Sequence, residues 1–216
     1  MNALTDGQWN RGTPVGGGDR GDPAADSDGS GQCYLTDNVD GNSDVDGGTT
    51  TLISPVMDAS DPASFISYDR WFSNTFGNAP FQDPFVVEVT SNGSTWVNLE
   101  TVGPAGVEVD GGWFSKSFRV GDVVDNTSQF QIRFIASDLE PGSVVEAAVD
   151  AVEIRVFSCA DTGCESDTNG DDVVDVQDLV NVVLQWGSDD ASADVNGDGL
   201  VDVQDLVQVV LEWGSC

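Results

Sequence analysis

One phrase is used twice near the C-terminus. Asp167-Thr-Asn169-Gly-Asp171-Asp-Val173-Val-Asp175-Val-Gln-Asp178 returns 27 residues later as Asp194-Val-Asn196-Gly-Asp198-Gly-Leu200-Val-Asp202-Val-Gln-Asp205. Each copy sets oxygen-bearing side chains at positions 1, 3, 5, 9 and 12 of a twelve-residue loop. Each runs straight into an apolar stretch of helix length that ends in Trp-Gly-Ser. Ca²⁺ is a hard ion wanting six to eight oxygens, and a loop with oxygens at alternate positions wraps around one such ion. Two copies in register, each with its helix, predict a small α-helical module with two calcium loops.

The charge agrees with cation loading. The chain carries 38 acids against 7 bases and no His, a formal net charge of -31. Residues 160–216 hold neither Lys nor Arg. Nucleic acid and anionic membrane surfaces both need clustered positive charge and are excluded as partners. Without His there is no Ser-His-Asp or Cys-His catalysis, and no HExxH zinc site. A carboxylate pair remains chemically open, but with acids this plentiful no pair stands out, and the chain reads as non-catalytic. No apolar run reaches the length of a membrane span, so no membrane insertion is expected. Gly, Asp, Ser and Thr richness, four Cys and calcium loops together predict an exported protein, secreted or at the cell surface. The start lacks the basic and apolar regions of a signal peptide, so the export signal is expected upstream or removed.

Along the chain, residues 1–49 read as loop, punctuated by Gly16-Gly17-Gly18, Asp28-Gly29, Asp40-Gly41 and Gly47-Gly48. Beyond them come short strands separated by turn signals, expected near 50–56, 64–73, 85–91, 95–102, 113–120, 130–137 and 145–157. Phe130-Gln-Ile132-Arg-Phe134 and Phe85-Val-Val87-Glu-Val89 alternate as half-buried strands do. Asn92-Gly93 supplies the positive φ of a hairpin turn. Seven strands with no helical period among them predict a mainly β fold, an antiparallel β-sandwich followed by the helical module.

The order Leu52-Ile-Ser-Pro55, Ser67-Tyr-Asp-Arg-Trp71-Phe, Val87-Glu-Val-Thr-Ser-Asn-Gly-Ser-Thr-Trp96 and Val149-Asp150-Ala-Val-Glu-Ile154 resembles MAM-like and carbohydrate-binding-module jelly rolls of secreted bacterial proteins. That resemblance implies a jelly-roll domain over 1–158, lacking its first strand. The repeat resembles the dockerin type I module, over 159–216, whose twelfth loop position is Asp. It implies calcium ligands Asp167, Asn169, Asp171, the Val173 carbonyl, Asp175 and Asp178 in loop one. In loop two they are Asp194, Asn196, Asp198, the Leu200 carbonyl, Asp202 and Asp205. Position six, ordinarily Gly, is Gly199 in loop two but Asp172 in loop one, which predicts weaker binding in loop one. Metal-free loops crowd carboxylates together. One like-charge pair at about 4 Å costs roughly 4 kcal/mol at an effective dielectric near 20, so the module is expected to lose its fold without calcium.

On the helices, Val176, Leu179, Val180, Val183 and Leu184 form one apolar stripe; Val203, Leu206, Val207, Val210 and Leu211 form the other. Val182 and Trp186, with Val209 and Trp213, widen each to about 200°, where roughly 100° serves one buried face. These four are the expected partner-binding residues. The resemblance implies a cohesin-like partner. However, the Ser/Thr recognition pair of cellulosomal dockerins is Val176-Gln177 and Val203-Gln204 here, and their basic pair is Val183-Leu184 and Val210-Leu211. Another copy of the chain, or its own sandwich, fits the apolar excess equally.

In the first domain, the segment 40–46 puts an oxygen on every second residue, which in an extended strand share one side. A further cation site is therefore expected among Asp26, Asp28, Asp40, Asn42, Asp44, Asp46 and Asp150. Four Cys allow three pairings. Cys164 with Cys216 clasps the repeat module and leaves Cys33 with Cys159; a short Cys159–Cys164 loop is the alternative. Trp71, Phe72, Phe76, Phe81, Trp96, Trp113 and Phe114 are the candidate sugar platform, against the ordinary reading of strand aromatics as core.

The expectation is a non-catalytic extracellular calcium-binding protein acting in adhesion, docking or assembly. The alternatives are a carbohydrate-binding module or accessory tail of a larger secreted hydrolase, binding glycan, and a self-assembling subunit of a surface fibre or layer.

Overall fold

A computed structural model describes residues 4–17, 20–41, 44–139, 142–156 and 164–215. The chain divides into two compact units, Met1–Phe157 and Ser158–Cys216.

The first unit is a sandwich of two antiparallel sheets, built from β1 (Trp9–Gly12), β2 (Cys33–Thr36), β3 (Gly48–Ile53), β4 (Ser64–Gly77), β5 (Phe85–Thr90), β6 (Val97–Val102), β7 (Phe114–Arg119), β8 (Gln131–Asp138) and β9 (Ser143–Val156). One sheet runs β1-β2-β9-β4-β7 and the other β3-β8-β5-β6. Strict alternation produces this: Ile66, Tyr68 and Phe72 of β4 point inward to meet Phe85, Val87, Ile132 and Phe134 from the other sheet. The seven expected strands all form. β1 and β2 arise inside the stretch read as loop, because Tyr34 and Leu35 pair with Val149 and Ala148 on the long strand β9.

One irregularity bears on function. β4 and β9 pair Asp69 with Asp150 and Ser67 with Glu153, so residues 151 and 152 oppose Tyr68 alone. Ala151 takes a φ of 49° at this bulge, which bends β9 beside Asp150.

The second unit holds β10 (Val173–Val174), α1 (Val176–Leu184), α2 (Val203–Leu211) and β11 (Gly214–Ser215), with β10 paired antiparallel to β11. Each helix starts on a capping box: Asp175 with Asp178, and Asp202 with Asp205. Val174, Val182, Ala193, Val195, Val201 and Val209 form its core. Among the described residues no helix is long and apolar enough to cross a membrane.

Candidate functional site: two repeated loops and an acidic trio

The repeated loops fold alike, one hydrogen bond at a time. Asp167 accepts the N–H of Asp171 on Oδ1 at 3.1 Å and of Asp172 on Oδ2 at 2.8 Å. Asp194 accepts the N–H of Asp198 at 3.1 Å and of Gly199 at 2.8 Å in the same way. Asn169 Oδ1 takes the Asp171 N–H at 2.9 Å, and Asn196 Oδ1 takes the Asp198 N–H at 2.8 Å. Position five repeats as well, with Asp171 accepting from Val173 and Asp198 from Leu200. Asp178 closes loop one by accepting from Asn169 at 3.2 Å and Asp175 at 2.8 Å. Asp205 closes loop two from Asn196 at 3.0 Å and Asp202 at 2.8 Å. Asp175 and Asp202 each cap their helix at 2.7 Å. Val173 and Leu200, at position seven, leave their side chains exposed.

Electrostatics follow from these donors. Burial pushes the Asp167 carboxyl up most strongly as a single influence. The N–H groups of residues 172, 171, 170 and 169 together outweigh it and hold the group below its ordinary value. Asp172 sits at φ 66°, where loop two has Gly199 at φ 89°, so loop one carries the left-handed strain at position six.

The helix faces differ from expectation. Val182 and Val209 are fully buried in the core, whereas Trp186 and Trp213 are half exposed. The exposed apolar rows are Val176, Val180, Val183 and Leu184 on α1, and Val203, Val207, Val210 and Leu211 on α2. Asp178 and Asp205 explain the exchange. Each must turn inward to close its loop, and each carries the residue one turn later in with it. Val176, Val180 and Leu184 line one groove with Asn169 and Asn181, and Val203, Val207 and Leu211 line its equivalent with Asn196 and Gln208.

In the sandwich, Asp26, Asp28 and Asp150 come together, with oxygens within 4.8 Å of one another. Gly31 N–H bonds Asp26 at 2.7 Å, Ser30 N–H bonds Asp28 at 2.8 Å, and Ser27 N–H and Oγ both bond Asp150 at 3.0 Å. The Ser30 N–H, above all, holds the Asp28 carboxyl below its ordinary value. The other residues expected there do not join. Asp40 is exposed, Asp44 is buried in an ion pair with Arg20 at 2.6 Å, and Asp46 forms a backbone bridge with Asp6. Asn42 lies outside the described residues. The chain bends at Gly41, φ 101°, and Asp40, Asp44 and Asp46 go to different surroundings.

The aromatic residues do not assemble into a platform. Phe72 is core. Trp71 and Trp113 meet edge to face at 5.8 Å and donate their indole N–H groups to the carbonyls of Gly21 and Ala25. They pin the loop that carries Asp26 and Asp28, a role their spacing in sequence did not reveal. Trp96 lies under Arg133 at 4.3 Å, and Phe114 under Arg70 at 5.5 Å. Phe76 and Phe81 stand exposed, 40% and 43%.

Cys33 corrects the expected pairing with Cys159. It is a free thiol buried against Leu35, Ala148, Trp71 and Trp113, on the inner side of the pinned loop. Burial first, then the charges of Asp150, Asp26 and Asp28, push that thiol up to about 12. Cys164 is disulfide-bonded; Cys159 and Cys216 lie outside the described residues, as therefore does the expected Cys164–Cys216 clasp.

No protein-family model and no curated protein matches the chain. Among solved structures it is similar to the K1 cleaved adhesin domain of Lys-gingipain from Porphyromonas gingivalis W83. The identity is 14%, over 73% of this chain and 91% of that one, with a TM-score of 0.42. It is also similar to CBM28, a carbohydrate-binding module specific for non-crystalline cellulose, at 10% identity over 60% and 78% of the two chains, TM-score 0.39. TmCBM61, solved with β-1,4-galactotriose, matches at 8% identity over 73% and 88%, TM-score 0.37. These neighbours are β-sandwich adhesin and carbohydrate-binding domains, and the likeness does not reach beyond the fold.

Proposed function

We propose that this is a non-catalytic, extracellular calcium-binding protein in which a dockerin-like pair of loop-helix units serves as a docking element beside a β-sandwich. What supports this reading above all is the recurrence of one hydrogen-bond frame, donor for donor, in two loops of the same oxygen pattern. Carboxylate, amide and carbonyl oxygens are the donors a hard cation takes. Calcium at Asp167–Asp178 and Asp194–Asp205 neutralises charge that no Lys or Arg of residues 160–216 is present to balance. Metal at each loop holds Asp178 and Asp205 inward and thereby presents the outer rows around Leu184 and Leu211, 76% and 79% exposed. Apolar rows of that exposure belong to a protein interface. A cohesin-like domain and a second copy of the chain are the partners of matching chemistry. A third cation, at Asp26, Asp28 and Asp150, fastens the loop over the five-stranded sheet.

Sedimentation velocity on the full chain, in millimolar calcium and then in excess chelator, tests the docking reading. Calcium-dependent association that Leu184→Glu with Leu211→Glu abolishes supports a second copy as partner. A monomer in both conditions that also fails to bind any cohesin domain sinks it.

A second reading, glycan binding by the sandwich, is favoured by a groove of about 450 Å³ on the outer face of the five-stranded sheet. Asp28, Ser67, Asp69, Ser117, Glu153 and Arg155 line it, and hydroxyl and carboxylate groups of this kind suit sugar hydroxyls. Affinity electrophoresis on soluble plant and bacterial polysaccharides tests it. Retardation that Asp69→Ala with Glu153→Ala removes supports the reading, and unretarded migration on every polysaccharide contradicts it.

A further inference from the structure

Three side-chain oxygens buried at one end of the sandwich core have no hydrogen-bond partner: Asn74 Oδ1, Asp83 Oδ2 and Asp138 Oδ1. Their residues are 0%, 1% and 6% exposed. Carboxylates this deep are ordinarily paired, because each unmet charge costs several kcal/mol. Among the described residues no base pairs with either carboxylate.

The fold brings them together from both sheets. β5 and β8 pair Phe85 with Ala136, and two residues further on in that register Asp83 stands opposite Asp138. The Asp83 Oδ1 accepts the Leu139 N–H at 2.8 Å, which holds its carboxylate at the end of β8. Asp138 is paired on its other flank with Gly48 of β3, and its Oδ2 accepts the Gly47 N–H at 3.3 Å. Both acids continue inward-facing rows, Phe85–Val87–Val89 and Ile132–Phe134–Ala136. Asn74 comes from the facing sheet, on β4, two residues past the core residue Phe72. Its Nδ2 donates to the carbonyls of Asp83 at 2.7 Å and Pro104 at 2.8 Å. Both amide protons are thus spent on backbone, and the amide oxygen is the unspent end.

We propose that Asn74, Asp83 and Asp138 form a buried site for a hard divalent cation of the calcium class, which ties the two sheets together. Three oxygen donors with two negative charges match such an ion in hardness and in charge, with water or backbone oxygens completing its shell. Without the ion, two buried carboxylates repel each other across the end of the β5–β8 pair. Burial above all, with the charges of Asp83, Asp46 and Asp44 added, pushes the Asp138 carboxyl up to about 6 against the Gly47 N–H. The rival arrangement is a proton shared between the two acids. This site shares no residue with the repeated loops or with Asp26, Asp28 and Asp150, and it stands or falls independently of them.

The test is equilibrium dialysis of the full chain against calcium, counting bound ions per chain. Asp83→Asn and Asp138→Asn are each expected to lower the count by one ion. Asp178→Asn with Asp205→Asn lowers it separately and additively. An unchanged count in folded Asp83→Asn and Asp138→Asn variants overturns the proposal. Asn74→Asp decides the matter if those variants fail to fold. At a cation site the added carboxylate keeps the count and raises the calcium-dependent gain in Tm. Beside a shared proton it lowers Tm equally with and without calcium, which overturns the site.

Discussion

Asp178 and Val182 lie one turn apart on the same side of α1, and both are fully buried. The first closes a loop and the second fills the core, so the residue that closes the loop also sets the rotation of the helix. Asp205 and Val209 repeat the relationship on α2. The apolar excess on both helices is left outside as a result, on the rows through Leu184 and Leu211.

The two kinds of apolar residue therefore respond differently to substitution. Val182→Ala is expected to cost about 2 kcal/mol, from lost burial and the cavity left behind, a large share of the stability of so small a unit. Leu184→Glu is expected to leave stability within about 0.5 kcal/mol, since it replaces an exposed side chain. Urea unfolding of the calcium-loaded protein, followed by far-ultraviolet circular dichroism, compares the two.

Loop one is strained where loop two is not. Asp172 holds φ 66° at the position of Gly199, at a cost of about 1 kcal/mol or more. Asp172→Gly is expected to raise calcium affinity at loop one about fivefold, as about 1 kcal/mol requires. Calorimetric titration in an Asp205→Asn background, with Asp178→Asn added as the blank for the remaining sites, isolates that site. No gain, or a loss, means that the Asp172 charge outweighs the strain.

The thiol of Cys33 is buried and pushed up to about 12, by burial first and then by the neighbouring carboxylates. At pH 8 its thiolate is scarce, so iodoacetamide is expected to modify it at least about a thousandfold more slowly than free cysteine. Mass spectrometry of the peptide containing Cys33 measures the rate. Rapid modification of the native protein contradicts the packing described for β2.

Between the sheets, Arg70 is 1% exposed and pairs with Glu100 at 2.6 Å and with Glu108. Tyr68 donates to Glu100 at 2.9 Å, and Lys116 joins Glu108 at 3.0 Å. Arg70→Met leaves Lys116 alone to balance these two acids and is expected to destabilise by about 3–5 kcal/mol. Burial pushes the Glu108 carboxyl up, but Lys116 and Arg70 outweigh it and hold the group below its ordinary value. Its contribution is thus complete at neutral pH and is lost as pH falls through that depressed value. Melting curves of wild type and Glu108→Gln are expected to differ at pH 7 and to converge toward pH 3.

Turn signals, with period-two alternation in two stretches, made seven strands legible, and the stretch from Phe130 runs into β8. The four-residue strands β1 and β2 were not legible, because they depend on pairing with one another and with β9, far along the chain. The likeness of the two loops was legible, since the repeated pattern is local. The helix rotation could not: stripes apolar over most of their circumference do not say which side is buried, and Asp178 decides it. The acidic trio was half legible. Asp26, Asp28 and Asp150 belong together, but Asp40, Asp44 and Asp46 share their composition without their geometry. Asp83 and Asp138 gave no local signal, because only the register of β5 against β8 makes them neighbours.

Calorimetric titration of the metal-free full chain with calcium, beside Asp178→Asn with Asp205→Asn, tests the central claim most directly. The account predicts that the double variant binds two fewer ions, and that calcium restores helical circular dichroism to the wild type alone. Identical isotherms, with helix content unmoved by chelator in both proteins, would contradict it.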